Sequence, residues 1–197
     1  MRNENVKTAG KKAGLMGTGK GDEAMSDAIF TGFLERQLDS GMQLAAASDL
    51  LELAPVWGEP PQRYIARFRC RGLVRTTEGD IVEADDFAVG ITFPDDYLRC
   101  ADPARVVTWL GPRNVFHPNI SDRAPVVCVG RLSPGTELVD LLFQLFEMIT
   151  WRKVTMREDD ALNPAACAWA RNHRDRFPVD TRPLKRHAGR IRVMEGP

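Results

Sequence analysis

Residues 64–71 read Tyr64-Ile65-Ala66-Arg67-Phe68-Arg69-Cys70-Arg71. Tyr64, Ala66, Phe68 and Cys70 fall on one side of an extended chain, with Arg67, Arg69 and Arg71 on the other. That period of two marks a half-buried strand. Downstream, Glu78-Gly79-Asp80 supplies a turn, Phe87 to Phe93 a further strand, and Val106 to Leu110 the fourth. The period then changes. Leu138, Leu141, Leu142, Leu145, Phe146 and Ile149, with apolar residues between them, predict a deeply buried helix, and Pro164 opens another through Trp169 to about Phe177. Upstream, Ser26 caps a predicted helix carrying Ile29, Phe30, Phe33, Leu34 and Leu38 on one face. Gly41 interrupts it, Leu44 to Leu53 resumes it, and Pro55, Pro60 and Pro61 end it. Helix, antiparallel strands, then helices define an α+β domain.

The chain of 197 residues suits one domain with tails: a flexible segment 1–22, a domain 23–177 and a C-terminal tail 178–197. Its formal net charge is zero, so no global basic field steers it to nucleic acid or an anionic membrane. No apolar run approaches the roughly 18 residues of a membrane span, and no apolar stretch follows the basic N-terminus as in a secretory signal. The expected location is the cytoplasm. Cys70, Cys100, Cys128 and Cys167 are too widely spaced for a zinc site, and a chain with its own core and no secretory signal needs no disulfide framework. No metal or cofactor is expected, and the question is which thiol reacts. Gly14 to Lys20 imitates a phosphate-binding loop, but Gly21 stands where Ser or Thr is needed and no strand precedes it, so it reads as linker.

Three stretches concentrate the chemistry: Phe93-Pro94-Asp95-Asp96-Tyr97; His117-Pro118-Asn119-Ile120 followed by Cys128 in the run Val126 to Gly130; and Asp159-Asp160-Ala161-Leu162-Asn163-Pro164. Together they resemble the ubiquitin-conjugating enzyme family across about residues 26 to 177. Phe93 to Tyr97 is similar to the family's Phe-Pro-x-x-Tyr-Pro segment, with Leu98 replacing the last Pro. His117, Pro118 and Asn119 match its His-Pro-Asn signature, and the cysteine follows at nine residues rather than about eight. Asp159 to Pro164 matches its Asp-Asp-Pro-Leu-x-Pro stretch, with Ala161 for the first Pro. Closer still is the likeness to bacterial members encoded beside a ubiquitin-like protein, an activating enzyme and a deconjugating metallopeptidase in antiphage defence; this narrower likeness rests on divergence and Arg-rich composition.

The resemblance implies the ubiquitin-conjugating fold: an N-terminal helix, a four-stranded antiparallel sheet, a catalytic cysteine loop and C-terminal helices. It implies that Cys128 takes a ubiquitin-like protein as a thioester and passes it to a lysine of a protein substrate. ATP would be used by a separate activating enzyme. Asn119 would donate to the oxyanion or hold the cysteine loop, and Asp160, with Asp159, would orient the amine and accept its proton. His117 and Pro118 would support the loop. The competing plain readings are a buried structural thiol, a turn asparagine, and an acidic pair complementing a helix dipole. The Trp-Ser-Pro common after the family's cysteine is reduced to Leu132-Ser133-Pro134 on a shorter loop, which puts ordinary ligase docking in doubt.

A non-catalytic scaffolding variant and a hydrolase pairing Cys128 with His117 or His173 are the alternatives. Six lysines stand against 21 arginines, and Lys7, Lys11, Lys12 and Lys20 lie near the N-terminus. Either genomic composition favours Arg, or a lysine-poor surface steers self-modification to that tail, since arginine stays protonated.

Overall fold

The computed structural model describes residues 19–186. Helix α1 (Gly19–Ala46) leads into β1 (Leu51–Gly58) and β2 (Pro61–Phe68), then a hairpin of β3 (Gly72–Arg75) and β4 (Ile81–Ala84). Strand β5 (Phe87–Thr92), a short helix α2 (Pro103–Val106), β6 (Val107–Gly111), α3 (Leu138–Ile149) and α4 (Pro164–Asn172) complete the order. The main sheet is four-stranded and antiparallel throughout, in the order β1-β2-β5-β6. The chain is therefore α+β, as expected.

The alternation of 64–71 holds. Tyr64, Ala66, Phe68 and Cys70 are buried, and Arg67, Arg69 and Arg71 reach solvent to form ion pairs with Asp86, Glu52 and Glu83. The apolar face of the sheet meets Phe33, Leu34 and Leu44 of α1 and Leu138, Leu141, Leu142 and Leu145 of α3 in one core. A second, smaller core gathers Leu73, Phe116, Trp151, Ala166, Ala170 and Val179.

Three expectations are corrected. Ser26 does not cap the first helix, because α1 begins at Gly19 and runs through it; Glu23, Ala24 and Met25 are good helix formers and nothing stops the helix there. Residues 1–18, the rest of the segment read as a tail, lie outside the described residues, and of the glycine-rich stretch only Gly19 and Lys20 fall within them. Gly41 does not interrupt α1: a Cβ there would sit 2.8 Å from Leu138 and 2.9 Å from Leu53, so glycine lets α1 approach α3 and the sheet. Residues 51–58 are a strand. Leu51 and Leu53 are buried while Glu52 and Ala54 are exposed, a period of two hidden in a leucine-rich run. Pro55 is tolerated because β1 is an edge strand with an irregular register beside it.

Residues 178–186 dock. The Val179 N–H donates to the Thr150 carbonyl (2.9 Å), Leu184 is buried, and Arg186 donates to the Ala46 carbonyl (2.8 Å). Asp180 is fully buried and accepts from the Arg71 N–H (2.9 Å) and the Arg182 N–H (3.0 Å). Burial pushes its carboxyl up, but the Arg182 guanidinium and those N–H groups outweigh that and hold it at about 2. Another device joins the helices. Glu137 makes no side-chain cap for α3, and Gln37 of α1 accepts the Leu138 N–H instead (2.7 Å).

Gly41→Val tests the close approach of α1. Crowding two buried leucines costs about 1–3 kcal/mol, more than the roughly 0.5 kcal/mol that valine gains over glycine in helix propensity. Chemical denaturation should show a net loss of stability; a neutral or stabilising result would mean that α1 can shift away.

Candidate functional site

The cysteine loop is a short hairpin. Ile120 and Val127 form an isolated antiparallel bridge, the Ser121 N–H donates to the Val126 carbonyl (3.0 Å), and the Cys128 N–H donates to the Asn119 carbonyl (2.7 Å). Gly130 follows with φ +80°, a conformation glycine adopts without strain, and turns the chain toward α3. Gln144 of α3 donates to the Val129 carbonyl and holds the outgoing strand. Cys128 is half-buried. Cys70 and Cys167 are buried, with thiol pKa values pushed up by burial, to about 12 for Cys70. Cys100 is exposed but belongs to another loop.

Asn119 uses both ends of its amide. Oδ1 accepts the Thr155 N–H (3.0 Å), and Nδ2 donates to the Cys128 carbonyl (3.4 Å). The side chain thus ties the Cys128 backbone to the segment after α3. The longer bond leaves Nδ2 as the weaker attachment, able to turn toward charge developing beside Cys128.

His117 is fully enclosed, and its Nδ1 accepts the Asn119 N–H (3.1 Å). The proton therefore sits on Nε2, which has no partner in hydrogen-bond geometry. Its ring meets Trp151 edge-on at 4.8 Å. Burial lowers its pKa to about 3, opposed only in part by the nearby Lys153 backbone. His117 is a neutral, structural imidazole.

Trp151 escaped sequence reading. It follows α3 with φ +62°, its N–H donating to the Met148 carbonyl (2.9 Å) and the Arg152 N–H to the Glu147 carbonyl (2.7 Å). This is a left-handed helix terminus of the kind glycine ordinarily makes. Left-handed backbone costs a bulky residue about 1–2 kcal/mol. Burying an indole against Phe116, Trp169 and Phe177 returns roughly 4–6 kcal/mol, so packing wins. No glycine marks the turn, so no local signal could have found it.

The Pro118 carbonyl accepts two N–H groups, from Leu162 (2.9 Å) and Asn163 (3.1 Å). The acidic stretch is thereby anchored to the His-Pro-Asn turn. Asp159 and Asp160 do not open the last helix as expected. They lie on a separate 3-10 turn (Glu158–Asp160), and Asn163 caps α4 by accepting the Ala166 N–H (3.1 Å). That placement weakens the helix-dipole reading of the pair. Asp160 is exposed and pairs with Arg157 at 3.4 Å, a surface contact worth little. Among the described residues neither carboxylate hydrogen-bonds Cys128 or Asn119. The α4 helix ends at Asn172, short of the expected Phe177.

The Phe93-to-Tyr97 stretch packs its rings on Phe33, and the Tyr97 hydroxyl donates to the Thr136 carbonyl (2.8 Å), joining this loop to the approach to α3. Neither His117 nor His173 contacts the Cys128 thiol through a ring nitrogen; His173 Nδ1 faces the Trp169 carbonyl (2.8 Å). Among the described residues no three of His, Cys, Asp and Glu converge as a metal-binding group, and no helix is long and apolar enough to cross a membrane. No protein-family model and no curated protein matches this chain.

The buried histidine makes stability depend on pH. Its folded pKa of about 3 lies below the unfolded value of 6.5, so the unfolded chain binds more protons between these limits. Stability is full above about pH 6.5 and declines as pH falls toward 3, by about 2 kcal/mol from pH 7 to pH 5 for this group. Urea denaturation at the two values should show that drop, and NMR of the His117 ring should show no protonation at pH 5. A ring titrating near 6.5 would mean it is not sealed.

Proposed function

We propose that this chain has the ubiquitin-conjugating fold and works as a conjugating enzyme for a ubiquitin-like protein. The observation that carries the reading is the half-buried Cys128, clamped by Asn119 of a His-Pro-Asn turn on which the segment following Asp159 and Asp160 is docked through Leu162 and Asn163. The Cys128 thiolate attacks the thioester carbonyl carbon of the modifier on its activating enzyme, whose cysteine leaves as thiolate. A neutral lysine amine of the target then attacks the new thioester, Asn119 donates to the oxyanion, and the C–S bond breaks to release Cys128.

A lysine of pKa ~10.4 needs help to lose its proton. A carboxylate alone would raise that pKa, while desolvation lowers it. Asp160 is exposed in the free protein, so bound target and modifier must exclude the water, and Asp160 then orients the amine and takes the proton. ATP is consumed by the separate activating enzyme, not by this chain. The setting we favour is a bacterial antiphage system in the cytoplasm. The shortened loop between Cys128 and α3 disfavours a ligase of the ordinary kind. A Cys/His hydrolase is disfavoured by a histidine buried with its Nδ1 already engaged, and a non-catalytic scaffold by the presence of an accessible thiol.

Incubation with ATP, an active activating enzyme and the modifier should give a reductant-sensitive band that Cys128→Ala abolishes and Cys128→Ser replaces with a slower-cleaving ester. Its absence with verified partners would remove the catalytic reading. Loaded Asp160→Ala should discharge to lysine at least roughly tenfold more slowly; unimpaired discharge would strip Asp160 of its role. Mass spectrometry of the products should place self-modification on Lys7, Lys11, Lys12 or Lys20, and adducts chiefly on the exposed Lys153 or Lys185 would contradict that.

A further inference from the structure

The start of α4 reaches the His-Pro-Asn turn by more than one route. Asn163, the helix cap, gives its backbone N–H to the Pro118 carbonyl (3.1 Å) and accepts the Cys167 N–H on its own carbonyl (3.1 Å). Residues four apart share a helix face, so Cys167 lies one turn further along the same side. Its Sγ donates to the Thr155 carbonyl (3.6 Å), and the Thr155 N–H donates to Asn119 Oδ1 (3.0 Å). Asn119 is bonded to Pro118, so the chain of contacts from Pro118 through Asn163, Cys167 and Thr155 to Asn119 closes on itself. Among the described residues no backbone N–H takes the Thr155 carbonyl; the thiol is the donor it has. Burial raises the Cys167 pKa, so the proton that makes this donor stays on sulfur.

Resting on the reading above, we propose that Cys167 is a positioning residue for aminolysis: acting through Thr155, it sets which end of the Asn119 amide faces Cys128. A backbone N–H can only donate, so Thr155 admits the carbonyl end of Asn119 and turns its NH2 end toward the cysteine. That end alone stabilises negative charge; the reversed amide would aim a carbonyl oxygen at the oxyanion. The bond from Asn119 Nδ2 to the Cys128 carbonyl is long at 3.4 Å, so the Thr155 contact carries the orientation. Thr155 belongs to no helix or strand, and its place depends on what holds its carbonyl. A thiol is a weak donor. It is asked only to bias one side chain between opposite orientations, not to hold the fold. Cys167 is itself buried and bonds Thr155, not Cys128.

The test compares Cys167→Ala, which removes the donor, Cys167→Val, which supplies apolar volume without one, and Cys167→Ser, which keeps one. Protein loaded on Cys128 should discharge to free lysine roughly threefold to tenfold more slowly in the Ala and Val variants, the scale of one hydrogen bond. The loss should fall on the maximal rate, with the half-saturating lysine concentration unchanged, because Asn119 acts on the oxyanion rather than on the bound amine. Cys167→Ser should recover most of the rate. Cys70→Ala, which removes a buried thiol of the main core, should discharge as the wild type does. Full activity in Cys167→Val, or no recovery in Cys167→Ser, would overturn the donor role. Nitrogen-15 spectra of the unloaded protein judge the positioning independently of any thioester. In Cys167→Ala the Asn119 side-chain NH2 signals should move and the Thr155 N–H should exchange with solvent at least roughly threefold faster, with Ser restoring both. Unchanged signals and exchange in Cys167→Ala would sink the proposal. If no thioester band forms with verified partners, the proposed function fails, and these spectra still decide the role of Cys167.

Discussion

A single neutral imidazole governs the architecture of the candidate site. His117 gives its Nδ1 lone pair to the Asn119 N–H, and that bond fixes the turn from which Asn119 reaches both Thr155 and the cysteine loop. A charged ring would carry a proton on Nδ1 and could not accept there. The surroundings must therefore keep it neutral, and they do so by enclosing it, with the Trp151 ring packed against it edge-on. An unpartnered Nε2 is the cost of that seal.

The same turn is where the two cores meet. Phe116, just before it, belongs to the small core with Trp151, and Ile120, just after it, belongs to the main core under the sheet. Pro118 lies between, its carbonyl holding the end of the acidic segment at Leu162 and Asn163. Movement of α3, α4 or the hairpin is thus felt at Asn119 and Cys128. The docked residues 178–186 brace this arrangement from outside, with Val179 on the end of α3 and Asp180 on the start of the β3 hairpin.

Much of the fold was legible because its signals are local. The alternation through Tyr64 to Arg71, the dense apolar run of α3 and the Asn163-Pro164 start of α4 carry their period or cap in neighbouring residues. The misread segments share one cause. Gly41 is a helix breaker by propensity, yet a partner helix makes its missing Cβ an advantage. Leu51 and Leu53 extend a helical run when read locally, until Phe68 and Ala66 stand beside them in the sheet. In the candidate site, the motif residues were legible and their attachments were not: Trp151 and Thr155 meet the turn, and Gln144 the chain after Cys128, across distances no local pattern encodes.

The sequence by itself determined the α+β class and the buried and exposed faces of the strand at 64–71, because residue type and short-range spacing decide those, and its resemblance to a known family marked Cys128, Asn119, Asp159 and Asp160 as candidates. Only the tertiary structure decided that His117 is sealed and neutral, that a tryptophan adopts a glycine's backbone, and that the acidic pair sits on its own turn, tethered to Pro118 through Leu162 and Asn163, rather than opening a helix. Each of those depends on desolvation and on hydrogen bonds between residues far apart in the chain, and their energies exist only once the chain has closed on itself.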